Sequence, residues 1–162
     1  MYSDTNIIGA RGEMISTAIL MTEEIFYAEL IGGKAPSFDI YVEIHDADKP
    51  YPFLIQIKTT TQSDMYNLSS IKTPVEDAKL QSLAKRPIPT YVGGLDMNNS
   101  ILYLASVFNG KEHYPSIPLD HKLELFNPQA ALAELQILRD DVIRFYDSNT
   151  IPNQKINFNS NI

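Results

Sequence analysis

Cysteine is absent from this chain, and with it go the disulfide framework, the thiolate zinc site, the iron–sulfur cluster and the cysteine nucleophile. Long apolar runs are missing too: nothing uncharged approaches the roughly 18 to 20 residues that span a bilayer. The first residues, Met1 to Glu13, carry an acid at Asp4 and no base before Arg11, unlike the charged and then apolar pattern of a secretory signal. The expectation is a cytoplasmic protein with no membrane partner. Positive charge is scarce: 13 Lys plus Arg stand against 20 Asp plus Glu, for a net charge of −7 and a pI of about 4.8. Such a balance argues against a surface that binds nucleic acid everywhere and leaves room only for a local basic site. His45, His113 and His121 have no metal-ligand spacing, and neither a phosphate-cradling glycine motif nor a G-x-S-x-G nucleophile is present.

What is present describes an ordinary globular domain: 162 residues, 44% apolar, 20% charged and 10% aromatic. At this length roughly two-thirds of the unfolded surface is buried on folding, so one core suffices without a metal or crosslink. No repeat, linker or charge block divides the chain. Residues 1–150 read as a single domain, and 151–162 as a flexible C-terminal tail without a core pattern.

Within residues 4–21, Ile8, Ile15 and Ile19 recur at helical spacing, while Gly9 and Gly12 lower helix propensity but permit close packing. Residues 25–31 form a short apolar strand stopped by Gly32-Gly33. In 38–44, Phe38, Ile40, Val42 and Ile44 alternate with Asp39, Tyr41 and Glu43, the clearest strand period in the chain. After a turn at 45–50, Phe53, Ile55 and Ile57 alternate with Leu54, Gln56 and Lys58, and the two strands are expected to pair as a hairpin. Thr73-Pro74-Val75-Glu76 resembles a capping box opening a helix to about Arg86, with Val75, Ala78 and Leu83 inward and Pro87 and Pro89 ending it. Residues 91–95 and 101–108 read as strands, with Gly93-Gly94 as a turn or bulge, and Asn127-Pro128 starts a long helix carrying Leu132, Leu135, Leu138, Val142 and Phe145. Helix, three strands, helix, two strands, helix is an α/β (α+β) order with a central mixed sheet flanked by helices.

Asp39, Gln56 and Lys58 are the informative residues. If the hairpin forms, a carboxylate, an amide and an ammonium converge on one patch of a strand that is otherwise apolar, where polar groups are costly unless partnered. The plain alternative is that Lys58 snorkels to water and Gln56 faces solvent. Glu13 lies beside the Ile8, Ile15, Ile19 stripe and is either a solvated helix carboxylate or within reach of the sheet edge. Glu43 shares a strand face with Asp39. Lys72, Lys79, Lys85 and Arg86 form either a local basic surface or a solvated helix face.

Asp39 followed by Gln56-Ile57-Lys58, in that strand order and after a helix bearing Glu13, resembles the PD-(D/E)xK nuclease superfamily in its D…QxK variant. The stretches GEMISTAIL, SFDIYVEI and FLIQIKTTT are similar to the small bacterial Mrr-like and restriction-associated domains, over roughly residues 10 to 105. The resemblance implies a restriction-endonuclease-like αβββαβ core with a C-terminal helix. It implies Mg²⁺ or Mn²⁺ held by Asp39, Gln56 and the Ile57 carbonyl, with Asp39, Gln56, Lys58 and Glu13 as the catalytic set. It also implies a metal-dependent DNA endonuclease acting on duplex or branched DNA, working as a homodimer because cutting both strands needs two sites, with Lys72, Lys79, Lys85 and Arg86 on the nucleic acid. The setting would be bacterial defence or DNA processing. The alternative on the same fold is a non-cleaving nucleic-acid- or protein-binding module of a defence or mobile-element system.

Overall fold

The computed structural model describes residues 3–32, 37–61, 69–107, 116–120, 122–124 and 128–148. The expected tail at 151–162, the end of the 101–108 strand at Phe108, and His113 and His121 lie outside them. The element order is α1 (Asp4–Leu20), β1 (Phe26–Leu30), β2 (Ile40–Ile44), β3 (Phe53–Thr60), β4 (Ser70–Lys72), α2 (Asp77–Ala84), β5 (Thr90–Asp96), β6 (Ile101–Ser106), β7 (Ser116–Pro118), β8 (Lys122–Glu124) and α3 (Pro128–Ser148). The expected α+β order is therefore present, with three additional strands of three residues each, too short for alternation to reveal.

Six strands form one mixed sheet in the order β1-β2-β3-β5-β6-β8, and β4 pairs with β7 apart from it. All pairs in the large sheet are antiparallel except β3 with β5. A parallel pair needs a crossover, and β4 with α2 supplies it. The crossover places α2 over the sheet beside the polar face of β3. β2 and β3 pair as expected, with Ile40 opposite Ile55 and Val42 opposite Phe53.

One face of the sheet packs Phe53, Ile55, Ile57, Tyr91 and Leu104 against Ile19 and Leu20 of α1 and Leu135, Leu138 and Val142 of α3. The other face packs Val92, Tyr103 and Ala105 against Ile71, Leu80, Leu83 and Ile117. Covering both faces makes β5 buried along its whole length, as expected of a central strand with a parallel neighbour.

Three local readings are corrected. The second helix starts at Asp77 with Glu76 as an N-cap that makes no side-chain bond, so the Thr73/Glu76 capping box is not used. Thr73 is instead buried with its methyl toward the Gly94 position, and an extended 73–75 segment sinks Val75 into the second core. Ala78 is therefore exposed and Leu80 takes the inward place. Gly93 and Gly94 are no turn: they lie mid-strand in β5, where a Cβ would stand 2.7 Å from the Ile57 Cδ1 on one side and 2.7 Å from the Thr73 Cγ2 on the other. On α3, Leu132 points out, and Ala131, Glu134, Leu135, Leu138, Asp141 and Val142 face in. Asp141 is accepted there because the buried Tyr91 hydroxyl donates to it at 2.7 Å, a charge-assisted bond that ties α3 to the start of β5.

Candidate active site

Asp39 sits one residue ahead of β2, and its backbone N–H donates to the Ile55 carbonyl at 2.9 Å. The Ile40–Ile55 register then sets Asp39 across from Gln56. Strand alternation turns Gln56 and Lys58 to the face opposite Ile55 and Ile57. Asp39 Oδ2 accepts from the Ile57 backbone N–H at 2.7 Å and from Gln56 Nε2 at 2.6 Å, and Gln56 Nε2 also stands 3.3 Å from the Ile57 carbonyl. Gln56 is only 4% exposed, so it does not face solvent, and these partners offset its burial.

Gln56 has its amino group between a carboxylate oxygen and a carbonyl oxygen, because both neighbours accept and only the NH₂ end can donate to them. A half-turn of the amide would bring Oε1 to the same point. Asp39, Gln56 and the Ile57 carbonyl then form three converging oxygens, the donor set a hard divalent cation takes. Among the described residues no group of three or more His, Cys, Asp or Glu could hold a metal, so the fit to Mg²⁺ or Mn²⁺ depends on the Gln56 amide and the Ile57 carbonyl.

Glu13 reaches the same place through a close approach of helix and strand. A Cβ at Gly12 would lie 1.9 Å from Thr59 Oγ1, so only glycine lets α1 lie this near β3. The next residue, Glu13, lines an open cleft of about 460 Å³ together with Gly9, Asp39, Gln56, Lys58 and Lys79. Burial, and then the negative charge of Asp39, push the Glu13 carboxyl up to about 7. Burial also raises Asp39, although the Ile57 N–H, Lys79, Lys58 and Gln56 each pull it down. Two carboxyls that burial makes costly to ionise thus share one cleft with Lys58, Lys79 and an amide that can turn an oxygen toward them.

Glu13, Asp39, Gln56, Ile57 and Lys58, singled out from the sequence, are thus brought to one cleft. The expected basic surface divides. Lys79 lines the cleft, where its charge acts on Asp39 ahead of that of Lys58. Lys72 and Lys85 are exposed outside it. Arg86 Nη2 donates to Ser37 Oγ at 3.1 Å, and its guanidinium lies 5.0 Å from the Phe38 ring centroid. Glu43 accepts from the Tyr41 hydroxyl at 2.6 Å and does not line the cleft. The position of Lys79 had no local signal in the sequence, since it follows from the crossover that lays α2 on the sheet beside the polar face of β3. No protein-family model, no curated protein and no solved structure matches this chain.

Proposed function

We propose that this protein is a divalent-metal-dependent DNA endonuclease of the PD-(D/E)xK type, hydrolysing phosphodiester bonds in the cytoplasm and acting as a homodimer on duplex or branched DNA. The observation that carries the reading is the meeting of Asp39, Gln56 and the Ile57 carbonyl within hydrogen-bond reach on a cleft floor that Glu13, Lys58 and Lys79 also line. When bound, Mg²⁺ or Mn²⁺ would supply charge neutralisation at the scissile phosphate and acidity toward water. Asp39, Gln56 and the Ile57 carbonyl would hold the ion, and Glu13 lines the same cleft. Lys58 faces the same space, placed to orient the attacking water and to balance the charge that grows on the phosphate. The cleft is open and polar, which suits a bulky, solvated substrate.

Incubation of the protein with plasmid, linear duplex, branched and single-stranded DNA, in Mg²⁺ or Mn²⁺ and in chelator, tests the reading. Metal-dependent cutting is expected, and Asp39→Ala and Lys58→Ala are each expected to abolish it while circular dichroism stays unchanged. Absence of cutting on every substrate overturns it. The non-cleaving module has one observation in its favour, the amino group rather than the oxygen of Gln56 facing Asp39. Calorimetric titration separates the two, since a module needs no Asp39-dependent uptake of Mg²⁺ or Mn²⁺.

A further inference from the structure

Beyond Asp39 and Lys79, which line the cleft, a row of polar side chains continues along α2. Lys79, Ser82 and Arg86 follow one another at intervals of three and four residues, which places them along one side of α2 and the turn that continues it. Lys79 is at the cleft end. Ser82 Oγ lies 3.3 Å from Ser37 Oγ, and Arg86 reaches the same hydroxyl, two residues ahead of Asp39. Neither Lys79 nor Arg86 has a carboxylate within ion-pair distance among the described residues. Of the guanidinium's N–H donors one is used on Ser37, and the buried Nε has no acceptor. Held over Phe38 in one orientation, Arg86 keeps Nη donors that the fold does not use, while its Nε is closed off by burial.

We infer that the Lys79, Ser82 and Arg86 side of α2, with Ser37, binds the phosphodiester backbone of the nucleic-acid strand that runs into the cleft. This rests on the nuclease reading and names how its substrate is held. From Lys79 to the end of α2 at Ala84 the helical rise is about 8 Å, and the turn that carries Arg86 extends the row to the axial length of about three phosphates of one strand. Lys79 takes the phosphate next to the reacting one as a point charge, Arg86 takes one farther out through its planar fork, and Ser82 lies between them. On a chain of net charge −7, such a stripe confines binding to the approach to the cleft and keeps the rest of the surface repulsive to DNA.

The test is fluorescence anisotropy with a labelled duplex and the matching single strand, in chelator and at several salt concentrations, so that no cutting is required. Lys79→Ala and Arg86→Ala are each expected to weaken binding about five- to tenfold and to reduce the slope of log K against log salt by about 1. Lys49→Ala, which removes the same charge from the turn between β2 and β3, is expected to change neither. Arg86→Lys keeps the charge and loses the fork, and it serves if Arg86→Ala does not fold; it is expected to keep the salt slope and lose affinity. Binding by the wild type that falls no further in Lys79→Ala and Arg86→Ala than in Lys49→Ala overturns the inference and leaves the nuclease reading standing. A wild type that binds neither probe overturns the inference, and the cutting assay in Mg²⁺ or Mn²⁺ decides the nuclease reading by itself. Binding that depends on the stripe, in a protein that cuts no substrate, supports the inference and overturns the nuclease reading alone.

Discussion

Gln56 is one atom away from a carboxylate, and that atom decides the electrostatics of the cleft. As an amide it donates a hydrogen bond to Asp39 at 2.6 Å without adding charge, and leaves the two acids, Asp39 and Glu13, without a third. Gln56→Glu keeps the length of the side chain and adds a charge beside them. Affinity for Mg²⁺ or Mn²⁺ should rise by on the order of 1 to 2 kcal/mol, roughly five- to thirtyfold, while Gln56→Leu should lose binding and keep the fold. Titration calorimetry reads both, and unchanged affinity in the pair would reduce Gln56 to a hydrogen-bonding core residue. Glu13 yields a second expectation, with a sign. Its carboxyl is raised from 4.5 to about 7, so between those values the folded chain holds a proton that the unfolded chain has released. That contribution to stability is complete below pH 4.5 and is lost as pH rises through about 7. Glu13 is part-exposed, so the loss is screened to on the order of 1 kcal/mol. Urea unfolding from pH 4.5 to 8 should show it without metal, and Glu13→Gln should leave only the smaller slope due to Asp39. In Mg²⁺ the trend should reverse, because the ion binds the deprotonated acids.

At the scale of elements the site depends on how α1 lies on β3. Gly12 faces Thr59 with no room for a methyl group, whereas a Cβ at Gly9 would meet nothing within 4 Å. Gly12→Ala should therefore push the helix outward, cost about 1 to 3 kcal/mol and weaken metal binding through Glu13. Gly9→Ala should be neutral or stabilise by up to about 1 kcal/mol, as an added methyl in an open helix position does. Equal melting temperatures for the two variants would mean that α1 does not seat on β3 through Gly12. The same elements show what could be read from sequence. Alternation in β2 and β3 set Asp39, Gln56 and Lys58 on one patch, because a period of two carries facing directly. The position of Lys79 was not legible, since nothing local to α2 tells which strand it crosses. Thr73 misled for a related reason: Thr-Pro-Val-Glu has the chemistry of a cap, but burial of Ile71, Thr73 and Val75 under the sheet outweighs one capping bond. Gly93-Gly94 has turn composition and mid-strand placement, explained by the side chains packed on its two sides, of which Ile57 and Thr73 come nearest.

Across the whole molecule, charge and architecture act against each other. The sheet is covered on both faces, which fixes β3 beside β5, and within a chain of net charge −7 the cleft holds two carboxyls that burial makes costly to ionise. An ion that binds the folded cleft and not the unfolded chain must stabilise the fold by mass action, by about 2.7 kcal/mol at a hundred times its dissociation constant. For a domain of this length that corresponds to a rise in Tm of roughly 5 to 10 °C. General screening of a net negative chain would also raise Tm, but it would do so for any salt and would not saturate. A melting series in MgCl₂, against NaCl of matched ionic strength, separates the two, and Asp39→Ala assigns the site. The expected result is a saturating rise in MgCl₂ for the wild type, little in NaCl, and in Asp39→Ala no more rise than NaCl produces. Equal rises in wild type and Asp39→Ala would place the cation outside the cleft and remove the metal from the proposed chemistry.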